Sequence, residues 1–138
     1  MNYRRVNIKT RKTEKEGNLG FFEEADTSFF MKRFYYIYDV PAKTWRGGHA
    51  HKKLKQLLFC PYGSIRIELD DGQERRVEVL DRPEEGLLLE PGIWRDMYWN
   101  IDNSVLCVAA SEEYDESDYI RDYHVFLEWK KENRGDTD

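Results

Sequence analysis

Cysteine and proline are scarce in this 138-residue chain, two of the first and four of the second, and neither sign of charge dominates it. Cys60 and Cys107 sit inside the apolar stretches LLFCPY and VLCVAA. They read as small core residues rather than a disulfide, so the fold must be held by its own core. No apolar run approaches the roughly 20 residues that span a bilayer as a helix, and no membrane partner is expected. The amino-terminal MNYRRVNIKTRK lacks the apolar core of a secretory signal, which points to the cytoplasm. The 22 Lys and Arg residues are outnumbered by 27 Asp and Glu, giving a net charge of −5 with the two signs interleaved. General nucleic-acid binding, which relies on counterion release from a basic face, is therefore not expected. Internal repeats and low-complexity segments are absent as well.

What the chain does have is aromatic residues, 14% of the total, set in short apolar segments between turn residues. That pattern predicts an all-β fold, a small β-barrel, formed by one domain over 1–138. RFYYIYDV, ended by Pro41, is a strand whose alternation groups Phe34, Tyr36, Tyr38 and Val40. KQLLFC and GLLLEPG read as buried strands, SVLCVAAS as another. SIRIELD alternates and is joined to RRVEVL through the hairpin signal Asp71-Gly72. Residues before 30 suggest one or two edge strands. From Ser117 onward, Ile120, Tyr123 and Leu127 recur at helical spacing, predicting an amphipathic helix over 117–130 and a frayed tail over 131–138.

The chemistry concentrates in WRGGHAHKKLKQ, residues 45–56. Alternate side chains of a strand share a face, so His49 and His51 project together while Ala50 points away. After His51 come four residues, Gln56, six more and Gly63; later, Gly86 is followed by four residues, Pro91-Gly92, two residues and Arg95. This spacing resembles the two motifs of the cupin superfamily, where an HxH pair, a glutamate and a second-motif histidine surround a divalent metal. Here Gln56 stands for the glutamate and Arg95 for the histidine. A guanidinium has no lone pair to give and repels a cation, so neither a metal nor another cofactor is expected.

A resemblance with wider reach joins KRFYYIYDVP, RGGHAHKKLKQ, EPGIWRDMYW and YDESDYIRDYHVFLEW in that order. Together these resemble the nucleotide-sugar 3,4-ketoisomerases, metal-independent cupins acting on dTDP-4-keto-6-deoxyglucose. The resemblance implies a jelly-roll cupin with a short C-terminal helix, and a homodimer that exchanges its N-terminal strands. It also implies an isomerase of deoxyamino-sugar synthesis for surface polysaccharides such as lipopolysaccharide O-antigen or S-layer glycans. Glu16 departs from the family, whose members commonly carry arginine or an aromatic there; substrate contacts or product configuration are expected to differ if that position lines the pocket.

Shifting a ketone from carbon 4 to carbon 3 needs proton carriers on neighbouring atoms, and imidazole suits neutral pH with its ordinary pKa of about 6.5. His49 and His51 are the expected catalytic pair, with the base at carbon 3 left open between them. Arg95 is expected to keep both neutral and to stabilise the enediolate oxygen. Arg46 offers a planar fork to the pyrophosphate. Gln56 is expected to orient a histidine or the sugar. Tyr36 either packs in the core or lines the pocket; Arg121 either contacts the nucleotide or pairs with Asp118 or Asp122 on the helix. His124 is expected to be solvated. A related epimerase and a noncatalytic sugar-nucleotide-binding cupin are the alternatives, and retention of both histidines argues against the second.

Overall fold

The structure is a computed structural model and describes residues 1–134. Two five-stranded sheets form its body, and all pairing is antiparallel. One runs, with strands numbered along the chain, β1 (Tyr3–Asn7), β9 (Glu85–Leu89), β6 (Gln56–Tyr62), β11 (Val105–Ala110) and β4 (Arg33–Ile37). The other runs β12 (Tyr119–Ile120), β5 (Trp45–His51), β10 (Trp94–Trp99), β7 (Ile65–Asp70) and β8 (Arg75–Leu80). The expected jelly-roll barrel is thus two facing sheets without a continuous hydrogen-bonded closure. Between them Leu58, Ile67, Leu87, Trp99 and Leu106 make the main core. The strands that line it contribute alternate residues, which is why SIRIELD reads so cleanly: Ile65, Ile67 and Leu69 are buried on one face.

The N-terminal region holds more structure than one or two edge strands. β1 closes one edge of the first sheet by pairing with β9 of the same chain. β2 (Lys9–Thr13) and β3 (Gly17–Phe21) form a separate hairpin, exposed throughout, and the short α1 (Glu24–Thr27) follows. Glu16 lies in the tip of that hairpin, exposed, where its backbone N–H donates to the Thr13 hydroxyl at 3.2 Å.

The C-terminal helix differs from the expected 117–130. A 3-10 turn over Glu116–Asp118 is capped by the Asp115 side chain, β12 comes next, and α2 covers Tyr123–Arg134. Asp122 sets that start, because its side chain accepts from Val125 N at 3.1 Å and its carbonyl from Phe126 N at 2.9 Å. Ile120 keeps its buried place from a strand rather than a helix. It packs with Ala50, Trp94 and Phe126 in a second core beneath α2, and full burial of a phenylalanine like Phe126 contributes roughly 1.5–3 kcal/mol. β5 is therefore covered on both sides, by the sandwich interior and by α2. Of the tail predicted to fray, 135–138 lies outside the described residues, while 131–134 continues α2. Cys60 and Cys107 are free and buried.

Candidate active site

Alternation along β5 sends Ala50 under α2 and both flanking histidines into the sandwich. The imidazoles meet edge to face, centroids 4.9 Å apart and planes at 84°. Tyr119, opposite His51 in the β12–β5 pairing, places its ring 4.4 Å from His51 and 5.3 Å from His49. Across the other edge of β5, Arg95 is the register partner of His49.

The two glycines of RGGHAH explain how Arg46 joins them. Strand alternation alone puts positions 46 and 49 on opposite faces. Arg95 pairs with His49 and its neighbour Asp96 with Gly47, so Gly48 is an extra residue in a bulge. The bulge restores Arg46 to the side of His49, opposite the buried Met97. Gly47 has φ +100°, and a Cβ there would lie 2.9 Å from the Arg95 carbonyl oxygen. Both sterics and dihedral demand glycine.

A cavity of about 320 Å³ opens at this point, lined among others by Arg33, Tyr35, Arg46, His49, Tyr119 and Arg121. Arg121 does not pair with Asp118 or Asp122. Its guanidinium takes a fork on Glu116, Nε to Oε1 at 2.7 Å and Nη2 to Oε2 at 3.0 Å, while lying over the Tyr119 ring at 4.3 Å. The reason is the turn and strand that replace the first part of the expected helix. Arg121 thus stands at the cavity wall rather than on a helix face.

Arg95 is enclosed, 2% exposed, and among the described residues it makes no ion pair. Nη1 donates to Gln56 Oε1 and Nη2 to the Ile93 carbonyl at 2.9 Å. Gln56 Nε2 in turn donates to the Tyr35 hydroxyl at 3.2 Å. Gln56 therefore orients Arg95 and Tyr35, and touches neither histidine. A buried cation held only by neutral acceptors favours any negative charge brought beside it. Among the described residues no three His, Cys, Asp or Glu side chains converge to hold a metal, and the Gln56 oxygen is already committed to a guanidinium.

Tyr36 takes the other side of β4. It is 58% exposed and lies between Phe34 and Tyr38, rings tilted against both, on the outer face and outside the lining of the cavity, which corrects both its core and its pocket readings. Tyr35 and Ile37 are the inward residues of this strand, since they pack against the main core. Every position from 34 to 38 is aromatic or branched, so alternation alone did not say which set faces in. Tyr35, Arg33, Asp118 and Tyr119 escaped the sequence reading; Tyr35 is the one the strand pattern already offered, as the neighbour of the residue chosen. His124 is exposed, as expected.

Both imidazoles are held neutral. Burial, then the charge of Arg95, pushes His49 down to about 3 and His51 to about 2. His51 Nδ1 lies 3.0 Å from Asp118 Oδ2, while its Nε2 is buried without a partner. The site therefore presents neutral nitrogen bases beside a fixed cation, with arginines at the mouth: an arrangement for moving a proton next to a developing oxyanion and for gripping a diphosphate.

Comparison with known proteins gives the same direction. The family model described as FdtA, WxcM-like, C-terminal, matches residues 1–131. A TDP-4-oxo-6-deoxy-alpha-D-glucose-3,4-oxoisomerase of Aneurinibacillus thermoaerophilus is 43% identical over 117 residues, 84% of each chain. The crystal structure of QdtA, a sugar 3,4-ketoisomerase from Thermoanaerobacterium thermosaccharolyticum in complex with TDP, superposes with a TM-score of 0.91 at 39% identity, covering 96% of both chains. A mutant of that enzyme in complex with TDP-4-keto-6-deoxyglucose gives 0.90 at 39% identity over 95% of each.

Proposed function

The chain belongs to the FdtA, WxcM-like family, and from that premise we propose that it converts dTDP-4-keto-6-deoxyglucose to a dTDP-3-keto-6-deoxyhexose through an enediol. The observation that carries this reading is the pair of neutral imidazoles in contact with each other, His49 on the cavity wall and His51 enclosed behind it, with the buried Arg95 in register beside His49. One imidazole takes the proton from carbon 3; the C–H electron pair becomes the C3–C4 double bond and the carbonyl pair moves onto oxygen 4. Arg95 stabilises that oxyanion. The hydroxyl proton at oxygen 3 is relayed to oxygen 4, and the protonated imidazole pool returns a proton to carbon 4, which leaves carbon 3 as the new ketone and carbon 4 as the alcohol. No proton or electron is gained or lost overall, which suits a site whose residues only relay protons. Arg46 and Arg121, at the mouth, are placed to meet the pyrophosphate, and Gln56 acts by holding Arg95 and Tyr35.

The protein acts as a homodimer. Support comes from the outer face of the first sheet, where Phe34, Tyr36 and Tyr38 are exposed side by side, near a hollow lined by Leu19, Phe21, Phe22 and Phe59. An apolar surface of this kind calls for a partner. Because β1 is held by β9 of its own chain, the exchange expected for residues 1–30 is assigned to the β2–β3 hairpin. The setting is cytoplasmic synthesis of deoxyamino sugars for surface polysaccharide, with no nucleic acid or membrane as partner and no metal or other cofactor.

The test is proton NMR of dTDP-4-keto-6-deoxyglucose incubated with the protein in deuterated water. New 3-keto sugar resonances with deuterium at the exchanging carbon are expected, and a parallel incubation in ordinary water gives the H4–H5 coupling that reports whether carbon 4 ends galacto or gluco. Substrate unchanged after prolonged incubation overturns the proposal.

A further inference from the structure

Asp118 is tied by side chain and backbone to the two residues that follow His51. Its Oδ1 accepts from the Lys53 backbone N–H at 2.7 Å, and its carbonyl oxygen accepts from Lys52 N at 3.0 Å. Its own N–H donates to the Asp115 carbonyl at 3.0 Å, and the next residue, Tyr119, pairs in register with His51. These contacts leave Oδ2 one direction, toward His51 Nδ1 at 3.0 Å. The His51 side chain is fully buried, its Asp118 partner 12% exposed, so the contact is shielded from water. On the far side of the ring, Nε2 has no hydrogen-bond partner.

We propose that Asp118 is a positioning residue for His51: its carboxylate accepts the Nδ1 proton, fixing the tautomer whose Nε2 lone pair faces the sugar. An ionised carboxylate can only accept, so Nδ1 must carry the hydrogen whenever the imidazole is neutral. Every proton that His51 handles then passes through Nε2. When Nε2 takes a proton from the sugar, the resulting imidazolium has a negative charge fixed at Nδ1, and it returns the proton through the same nitrogen without the ring turning. The principle is that of an aspartate orienting a base, here supplied by the segment that precedes α2 rather than by the barrel itself. This inference rests on the isomerase reading for its consequence in turnover, but not for its consequence in tautomer.

Asp118→Asn separates the two. Lys53 N–H is an obligate donor, so the asparagine oxygen stays with it and the amide NH2 turns to His51. A donor at that place forces Nδ1 to accept and moves the hydrogen to Nε2, the wrong tautomer. Asp118→Ala removes the preference without imposing the opposite one. The asparagine variant should lose roughly 100- to 10,000-fold in kcat, with KM and TDP affinity kept within about threefold, as for an interaction that matters only in the transition state. The alanine variant, though further from aspartate in shape and lower in Tm, should lose less kcat. A purely structural role predicts the reverse order. Long-range proton–nitrogen NMR on protein labelled with 15N-histidine should show His51 protonated at Nδ1 in the wild type and at Nε2 in Asp118→Asn. An unchanged tautomer, or kcat kept within threefold in the asparagine variant, overturns the proposal. If the wild type fails to isomerise the sugar, the function falls, while the spectra still decide the contact.

Discussion

Replacing His49 and His51 by asparagine, one at a time, tests the reaction where its geometry is best defined. A lost general acid or base lowers turnover by roughly 100- to 10,000-fold, which at 1.36 kcal/mol per tenfold is about 2.7–5.4 kcal/mol of barrier. The structural cost differs between the two positions. His51 is fully enclosed against Tyr119, so the smaller asparagine leaves a gap, and a destabilisation of about 1–3 kcal/mol is the ordinary scale for such a change. Its carboxamide still has Asp118 Oδ2 within reach as an acceptor, which keeps that carboxylate partnered. His49 is only half-buried and should cost less. Both variants are expected to bind dTDP, because the diphosphate contacts are assigned to Arg46 and Arg121, which both variants keep. Their losses should be far from additive, since the two rings touch and share one proton path. Deuterium incorporation assigns the roles: the variant lacking the carbon 3 base loses exchange at that carbon, and the other exchanges without completing the isomerisation. Near-normal turnover in both variants, with dTDP binding intact by calorimetry, would refute the catalytic reading.

The same geometry has consequences for binding, metal dependence and pH. Arg46→Ala should weaken dTDP binding by about 1.5–3 kcal/mol, the scale of a charge-assisted contact; unchanged calorimetric affinity would place Arg46 outside the diphosphate site. Turnover should survive exhaustive chelation and dialysis, because Gln56 is committed to Arg95 and Arg95 cannot ligate; a stoichiometric zinc, iron or manganese required for activity contradicts this. With His49 and His51 lowered to about 3 and about 2, kcat should stay level from pH 8 to 5, whereas an ordinary imidazole is protonated near 6.5. The sign for stability follows from the same shifts, since the unfolded chain binds these protons first. The stabilising contribution is complete above about pH 6.5 and is lost as pH falls toward the folded values, so Tm should decline through that window. Activity halving near pH 6.5 would show that the imidazoles are not held neutral.

Much of this site is legible in short stretches of sequence because its main constraint is local. HAH needs only strand alternation to bring two rings together, and SIRIELD or GLLLEPG needs only burial on one or both faces to be a strand. What escaped depends on partners distant along the chain. RFYYIYDV is apolar on both alternations, since its outer face is aromatic too; only the pairing of β4 with β11 decides that Tyr35, not Tyr36, looks inward. Spacing alone starts the helix too early, because Ile120 shares its interval with Tyr123 and Leu127. A residue covered by α2 and a residue belonging to α2 carry the same apolar signal.

The double glycine of RGGHAH shows how a local rule fails for a local reason that is itself readable. Alternation separates Arg46 from His49, and the site needs them together. The conflict is resolved by a bulge that only glycine at position 47 accommodates, with its φ of +100° and the Arg95 carbonyl where a Cβ would stand. Two adjacent glycines inside a strand flanked by an arginine and a histidine are thus evidence for a change of face at that point, and the change puts a guanidinium beside an imidazole. The second device, the Asp118 latch, had no such mark: a lone aspartate in an acidic run, 67 residues from His51, becomes meaningful only when β12 lies down beside β5. In the proposed reaction the HxH strand supplies the bases, and the segment leading into α2 supplies the carboxylate that holds one of them. The C-terminal helix, by burying Phe126 against Ala50 and Ile120, keeps that segment in place.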